Sequence, residues 1–176
     1  MPNATPTHRY YRHAEGSWFG GMEATVTGFG ELKAAVGFLN AFSMWMMSVW
    51  PNWLGRLRLK TTVSFEDKTK QVAHTTTVTW CGLPMMKSVE RVILDDDGKH
   101  FTLEGSARIT MMPWTAYPVI GGGHVDEEAA IANYEVSWFG TTLNQVTNMQ
   151  ADTITLSQRA AGFEGSQMLK RQTPLE

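Results

Sequence analysis

From residue 57 onward the chain alternates. Leu57, Leu59, Thr61, Val63 and Phe65 are interleaved with Arg58, Lys60, Thr62 and Ser64. A two-residue period sends successive side chains to opposite faces, so this stretch reads as a half-buried β-strand. After the polar turn Glu66-Asp67-Lys68, the set Val72, His74, Thr76, Val78 and Trp80 alternates with Ala73, Thr75, Thr77 and Thr79. Gly82 and Pro84 interrupt the pattern, and residues 88–94 resume it. Asp95-Asp96-Asp97-Gly98 is a strong hairpin signal, because Asp-Gly tolerates the positive φ of a tight turn. Phe101, Leu103, Gly105, Ala107 and Ile109 then return against Thr102, Glu104, Ser106 and Arg108. Residues 133–148, 153–158 and 163–171 read as three closing strands, and residues 16–29 as an opening one. Residues 112–123, with Pro113, Pro118 and three consecutive glycines, read as an irregular loop at a barrel mouth. Asp126, Glu127 and Glu128 read as the cap of a short helix running to Ala132. The pattern predicts a mainly β fold of about nine or ten strands. A closed antiparallel β-barrel is favoured over a sandwich because closure leaves no exposed edge.

One segment breaks the pattern. Residues 31–50 are rich in Ala, Leu, Met and Phe, lack proline and stop before Pro51, which predicts helix. Residues 34–55 carry no charged side chain, a length that raises the question of a membrane span. Asn40, Ser43, Ser48, Pro51 and Asn52 interrupt the run, and the rest of the chain reads as β structure. A helix or helix pair lying as a lid over the barrel, after the first strand, is the simpler reading. Residues 1–14 read as a tail or covering arm, and 15–172 as a single barrel domain. No stable membrane insertion is expected.

Charge excludes other classes. Fifteen basic residues against seventeen acidic ones give a formal net charge of −2, without the clustered basic excess that nucleic acid requires. Cys81 is the only cysteine, so an internal disulfide and a thiolate metal cluster are both excluded. The first residues lack the apolar stretch of a secretory signal, and a cytoplasmic location is expected. The 7 Trp and 11 Met suit an irregular core or the lining of an adaptable apolar pocket.

The layout resembles the calycin group, which includes the lipocalins and fatty-acid-binding proteins. That group places Gly-x-Trp on the first strand, and Gly16-Ser17-Trp18 matches it. Many members pack a basic residue of the last strand across that tryptophan. Arg171 is the position that corresponds, with Lys170 the alternative. The segment 31–50 resembles the helical lid of fatty-acid-binding proteins. The resemblance implies a barrel around an apolar ligand, although the interior Arg–Tyr pattern that holds a fatty-acid carboxylate is not evident. Glu15–Gly20 recurs as Glu135–Gly140, read as two strands solving one packing problem: an aromatic pair beside a glycine bend.

Few residues suggest chemistry. The glycines at 121–123 are not followed by Lys and Ser/Thr, so they form no phosphate cradle. His124 with Asp126, Glu127 and Glu128 is dense in ligand atoms but lacks metal-site spacing, and no metal is expected. Haem through His74 or His124 is disfavoured, and no cofactor is implied. Cys81 lacks a framing Cys–His motif, and there is no Gly-x-Ser-x-Gly elbow. His74 shares the more apolar face of its strand with Val72, Val78 and Trp80, where an imidazole titrating near neutrality can move protons. Alternation forces either Glu90 or Arg91 inward. A buried Glu90 would act as base or orienter beside His74, whereas an inward Arg91 would suit an anionic or carbonyl-bearing ligand. Tyr134 and Trp138 share a face that can stack on a flat ligand. Asn40 and Trp45 of the lid, and Tyr117, are the remaining ligand-binding candidates. The function expected is binding of a bulky hydrophobic small molecule, with a cofactor-free cyclisation or isomerisation through His74 and Glu90. The rival is a carrier without chemistry. A third class, an interaction module using residues 44–54, would appear as oligomerisation, a homodimer included.

Overall fold

The computed structural model describes residues 9–49, 57–66, 68–110, 112–138 and 140–172. The chain runs α1 (Arg9–Ala14), β1 (Gly16–Val26), α2 (Phe29–Val36), α3 (Phe38–Val49), β2 (Leu57–Glu66), β3 (Gln71–Trp80), β4 (Leu83–Leu94) and β5 (His100–Ile109). It continues through β6 (Met112–Asp126), β7 (Ile131–Trp138), β8 (Thr141–Gln150), β9 (Thr153–Ala160) and β10 (Phe163–Arg171). The ten strands form a closed antiparallel barrel in which each strand pairs with its sequence neighbours, and β1 closes the ring by pairing with both β2 and β10. The Asp95–Gly98 turn joins β4 to β5 as expected, with Gly98 at φ +69 and the Asp97 carboxylate accepting from the Lys99 and His100 amides.

Several stretches differ from the sequence reading. Residues 112–123 are not a loop: they belong to the long strand β6, and Gly121–Gly123 pair with β5 on one side and β7 on the other. A Cβ at Gly123 would sit 2.1 Å from the Asn133 carbonyl oxygen and 2.4 Å from Tyr134 Cβ. The glycines let β6 approach β7 closely, which is a strand role, not a loop role. Asp126 caps no helix. Its carboxylate accepts from the Glu128 and Ala129 amides and shapes a turn at 127–130 that hands over to β7. The stretch 133–148 is two strands, bent at Gly140 with φ +81. The two Trp-Phe-Gly copies therefore part company. Gly140 makes a turn, whereas Gly20 lies inside β1, where a Cβ would fall 1.8 Å from the Met168 carbonyl oxygen.

The lid is a helix pair, broken at Gly37 with φ +80. Its inward residues Leu32, Val36, Ala41 and Met44 pack with Leu143 and Phe163 of the barrel. Phe38, Leu39, Phe42 and Trp45 lie exposed on its other side. Of the expected interaction segment 44–54, residues 50–54 lie outside the described residues. Among the described residues no helix is long and apolar enough to cross a membrane.

Residues 9–14, expected in a tail or covering arm, form α1, and Tyr10, Tyr11 and Ala14 join the main core cluster. The remaining tail residues, 1–8, lie outside the described residues. Trp18 is fully buried, and its indole N–H donates to the Ala14 carbonyl at 2.8 Å. Arg171, opposite Trp18 in the β1–β10 register, stacks on the indole with its guanidinium carbon 4.3 Å from the ring centre. The same guanidinium donates to the carbonyls of Glu15 and His13. Lys170 instead lies exposed, opposite Phe19. One arginine thus ties together the first strand, the last strand and the end of α1, combining a cation–π contact with charge-assisted hydrogen bonds. Arg171→Ala is expected to lower unfolding free energy by about 2 kcal/mol in urea titration, with Arg171→Lys recovering less than half of it.

Candidate functional site

The interior chemistry begins with a register. On β3 and β4, His74 lies directly opposite Glu90, and the pleat turns both inward. His74 Nδ1 lies 3.1 Å from Glu90 Oε2, so an Nδ1–H donates to the carboxylate. Nε2 then faces the Thr76 hydroxyl at 3.4 Å, which in turn lies 3.0 Å from the Thr61 hydroxyl. The β5 residue opposite Glu90 is Gly105, where a Cβ would meet the Val89 carbonyl oxygen at 2.3 Å and Glu90 Cγ at 3.1 Å. Glycine there leaves the room that the carboxylate arm occupies. Burial raises the Glu90 pKa, but the hydrogen bond and charge of His74, with a further hydrogen bond from Ser88, outweigh it and hold the group below the usual carboxylate range.

Two adjoining cavities of about 120 and 100 Å³ meet at this pair. Both are bordered by His74, Thr76, Glu90, Tyr134, Leu156 and Gln167. The first lies toward α1 and is bounded by Tyr10, Tyr11 and apolar residues such as Val72, Phe101 and Ile154. The second lies toward the lid and is bounded by Met22, Val78, Trp138 and Leu143, with Gln145 and Gln158. The Tyr134 hydroxyl lies 3.1 Å from the Thr147 hydroxyl. Burial pushes its pKa up to about 12, opposed by the Thr147 bond and helped by the Glu90 charge. Burial likewise raises Tyr10 and Tyr11, so all three phenols stay neutral donors at ordinary pH.

Of the residues singled out in the sequence, the structure brings together His74, Glu90, Tyr134 and Trp138. Arg91 is placed elsewhere: with Glu90 inward, the pleat turns its neighbour to the exposed outer face. Asn40 donates to the Val36 carbonyl at 3.0 Å, one helical turn back. Trp45 is 38% exposed and packs with Phe29 and Phe42 on the lid. Tyr117 is half-buried opposite Ala107 and borders neither cavity. Gln145, Gln158 and Gln167 also border the lid-side cavity and were not among the residues singled out in the sequence. Alternation reaches Gln158 and Gln167, which continue the inward rows Ile154–Leu156 and Phe163–Leu169, but not Gln145, because the inward parity changes at the Gly140 bend between β7 and β8. Among the described residues no group of three or more His, Cys, Asp or Glu side chains is placed to hold a metal.

This geometry defines a ten-stranded calycin-like barrel: a closed up-and-down sheet with a helical pair after β1 and a Trp–Arg clasp between its first and last strands. No protein-family model matches the chain, and no curated protein matches it. Several solved structures are similar to it, two of which follow. Secretory abundant heat soluble protein 4 from Ramazzottius varieornatus aligns with a TM-score of 0.52 at 11% identity, over 98% of this chain and 99% of that one. Fatty-acid-binding protein 1 of Echinococcus granulosus aligns with a TM-score of 0.48 at 6% identity, over 92% and 99%. At 11% identity the likeness to the first is one of fold alone.

The lowered Glu90 pKa sets a sign for pH dependence. A carboxyl depressed on folding stabilises the native state above its unfolded value, near 4.5, and loses that contribution as pH falls through the folded value. His74→Ala removes the largest offsets to burial and leaves only the Ser88 hydrogen bond, so the Glu90 pKa is expected to rise relative to the wild type, read from the pH titration of its side-chain carboxyl carbon by NMR.

Proposed function

We propose that the barrel binds a modest-sized, largely apolar small molecule in its interior, beside the His74–Glu90 pair. The observation that carries this reading is a pair of adjoining, mostly apolar cavities that share a hydrogen-bonded imidazole and carboxylate in their walls. Apolar walls with a few convergent polar groups are the usual make-up of a ligand site. The division into about 120 and 100 Å³ suits a slim or jointed molecule better than the single bulky block expected from the sequence. The single cysteine, Cys81, leaves no internal disulfide to form, which accords with a cytoplasmic setting.

The His–Glu geometry favours a second, finer reading. With Nδ1 held by Glu90, Nε2 is the basic nitrogen, turned toward Thr76 and the interior. That is the arrangement of a general base with its orienter, suited to a cofactor-free isomerisation or cyclisation. The same cavity without turnover is a carrier. The two separate on one experiment. Protein purified from its native source is extracted, and the bound compound is identified and re-added. Under the catalytic reading, His74→Ala and Glu90→Gln still take up the compound but convert it at least about 100-fold more slowly. Under the carrier reading, the compound leaves the wild type unchanged. Native mass spectrometry that finds only the bare chain, together with no uptake of a neutral apolar dye, would contradict both.

A further inference from the structure

We infer that the lid-side cavity holds a separate amide subsite, formed by Gln145, Gln158 and Gln167, that selects ligands with an uncharged hydrogen-bonding end over carboxylates. The inference rests on the binding reading above and specifies its ligand class. The three side chains come from three consecutive strands. Gln145 pairs with Gln158 across β8 and β9, Gln158 pairs with Gly165 across β9 and β10, and Gln167 continues the inward row of β10 from Gly165. All three border the lid-side cavity.

Two features mark the cluster as more than polar filling. Gln158 Oε1 is buried and has no hydrogen-bond partner among the described residues. A buried acceptor left unmatched destabilises a fold, and native proteins rarely keep one. A ligand O–H or N–H reaching that oxygen removes the penalty. The second feature is Gly165, where a Cβ would lie 3.2 Å from Gln158 Oε1 and 3.3 Å from the Phe163 ring. Glycine keeps open the space in front of the amide.

The same surroundings argue against an anion. Neither cavity is bordered by a lysine or arginine among the described residues, and the acidic group at their junction is Glu90. A carboxylate entering here would lose its hydration, find no cation and face a like charge. An alcohol or primary amide loses much less water and matches the glutamine ends, which offer both donors and acceptors.

The test compares 1-octanol, octanamide and sodium octanoate at neutral pH, by NMR titration of the full chain. The alcohol and the amide are expected to bind at least tenfold more tightly than octanoate. Gln158→Met keeps the bulk and removes the amide. It is expected to weaken octanol and octanamide three- to tenfold, leave octanoate unchanged and raise the melting temperature of the unliganded protein. Gln145→Met gives the same affinity readout should the first variant fold poorly. Octanoate binding as tightly as octanol, or undiminished octanol and octanamide binding by the methionine variants, overturns the subsite while leaving interior binding intact. Failure of all three probes to bind the wild type overturns the binding reading and the subsite together.

Discussion

Pairing of β1 with β10 is the constraint from which the rest of the interior follows. Once the first and last strands join, every strand of the sheet has two neighbours and every inward position is shared by all ten. Register then becomes rigid, because a slip of one residue would exchange the apolar and polar faces of a whole strand. The clasp at the seam is local and chemically specific. Trp18 is buried at the start of β1, and Arg171 covers it from the end of β10 while binding the carbonyls that terminate α1. Strand number also sets the lumen. Eight strands enclose a space that side chains just fill, and a ten-stranded ring is wider. A ring of ten strands leaves room for the two cavities.

Into that lumen the chain places groups that a purely structural core would avoid. Glu90 is ionised in an environment that penalises charge, and His74 and Ser88 offset the penalty. Such networks are worth little as net stabilisation, yet removing one member leaves a buried group uncompensated. An imidazole, a carboxylate, buried phenols and three glutamines around two voids make a poor choice for stability alone. They make a coherent choice for holding a molecule with polar features. Proteins concentrate departures from consistent core packing at functional sites, and this barrel concentrates them on β3, β4 and β7–β10.

Much of this was legible because a strand has a period of two. His74, Tyr134 and Trp138 fall on the inward face by alternation, and the β3–β4 register sets His74 opposite Glu90. Alternation alone left Glu90 and Arg91 as equals; only the register with β3 and β5 decided between them. The misses have physical causes. Glycine has no side chain to alternate, so residues 121–123 looked like a loop although they pair with β5 on one side and β7 on the other. Asp126 forms the same backbone hydrogen bonds in a turn as at a helix start, so local chemistry could not tell them apart. Trp45 and Asn40 lie on a lid whose roll about its own axis is set by contacts with Leu143 and Phe163, far along the chain. Gln158 and Gln167 follow the alternation of their strands although glutamine is uncommon inside, whereas Gln145 lies beyond the Gly140 bend, where the inward parity changes.

The central claim is that the barrel interior is open on both sides of the His74–Glu90 pair. Xenon enters apolar voids and leaves packed cores untouched. Carbon-13 methyl spectra recorded under xenon pressure test this directly. The account predicts saturable shifts at Val72 and Ile154 in the α1-side cavity and at Val78 and Leu143 in the lid-side cavity. Methyl signals that stay fixed at all four positions would mean that the barrel is filled by its own side chains, and the claim would fall.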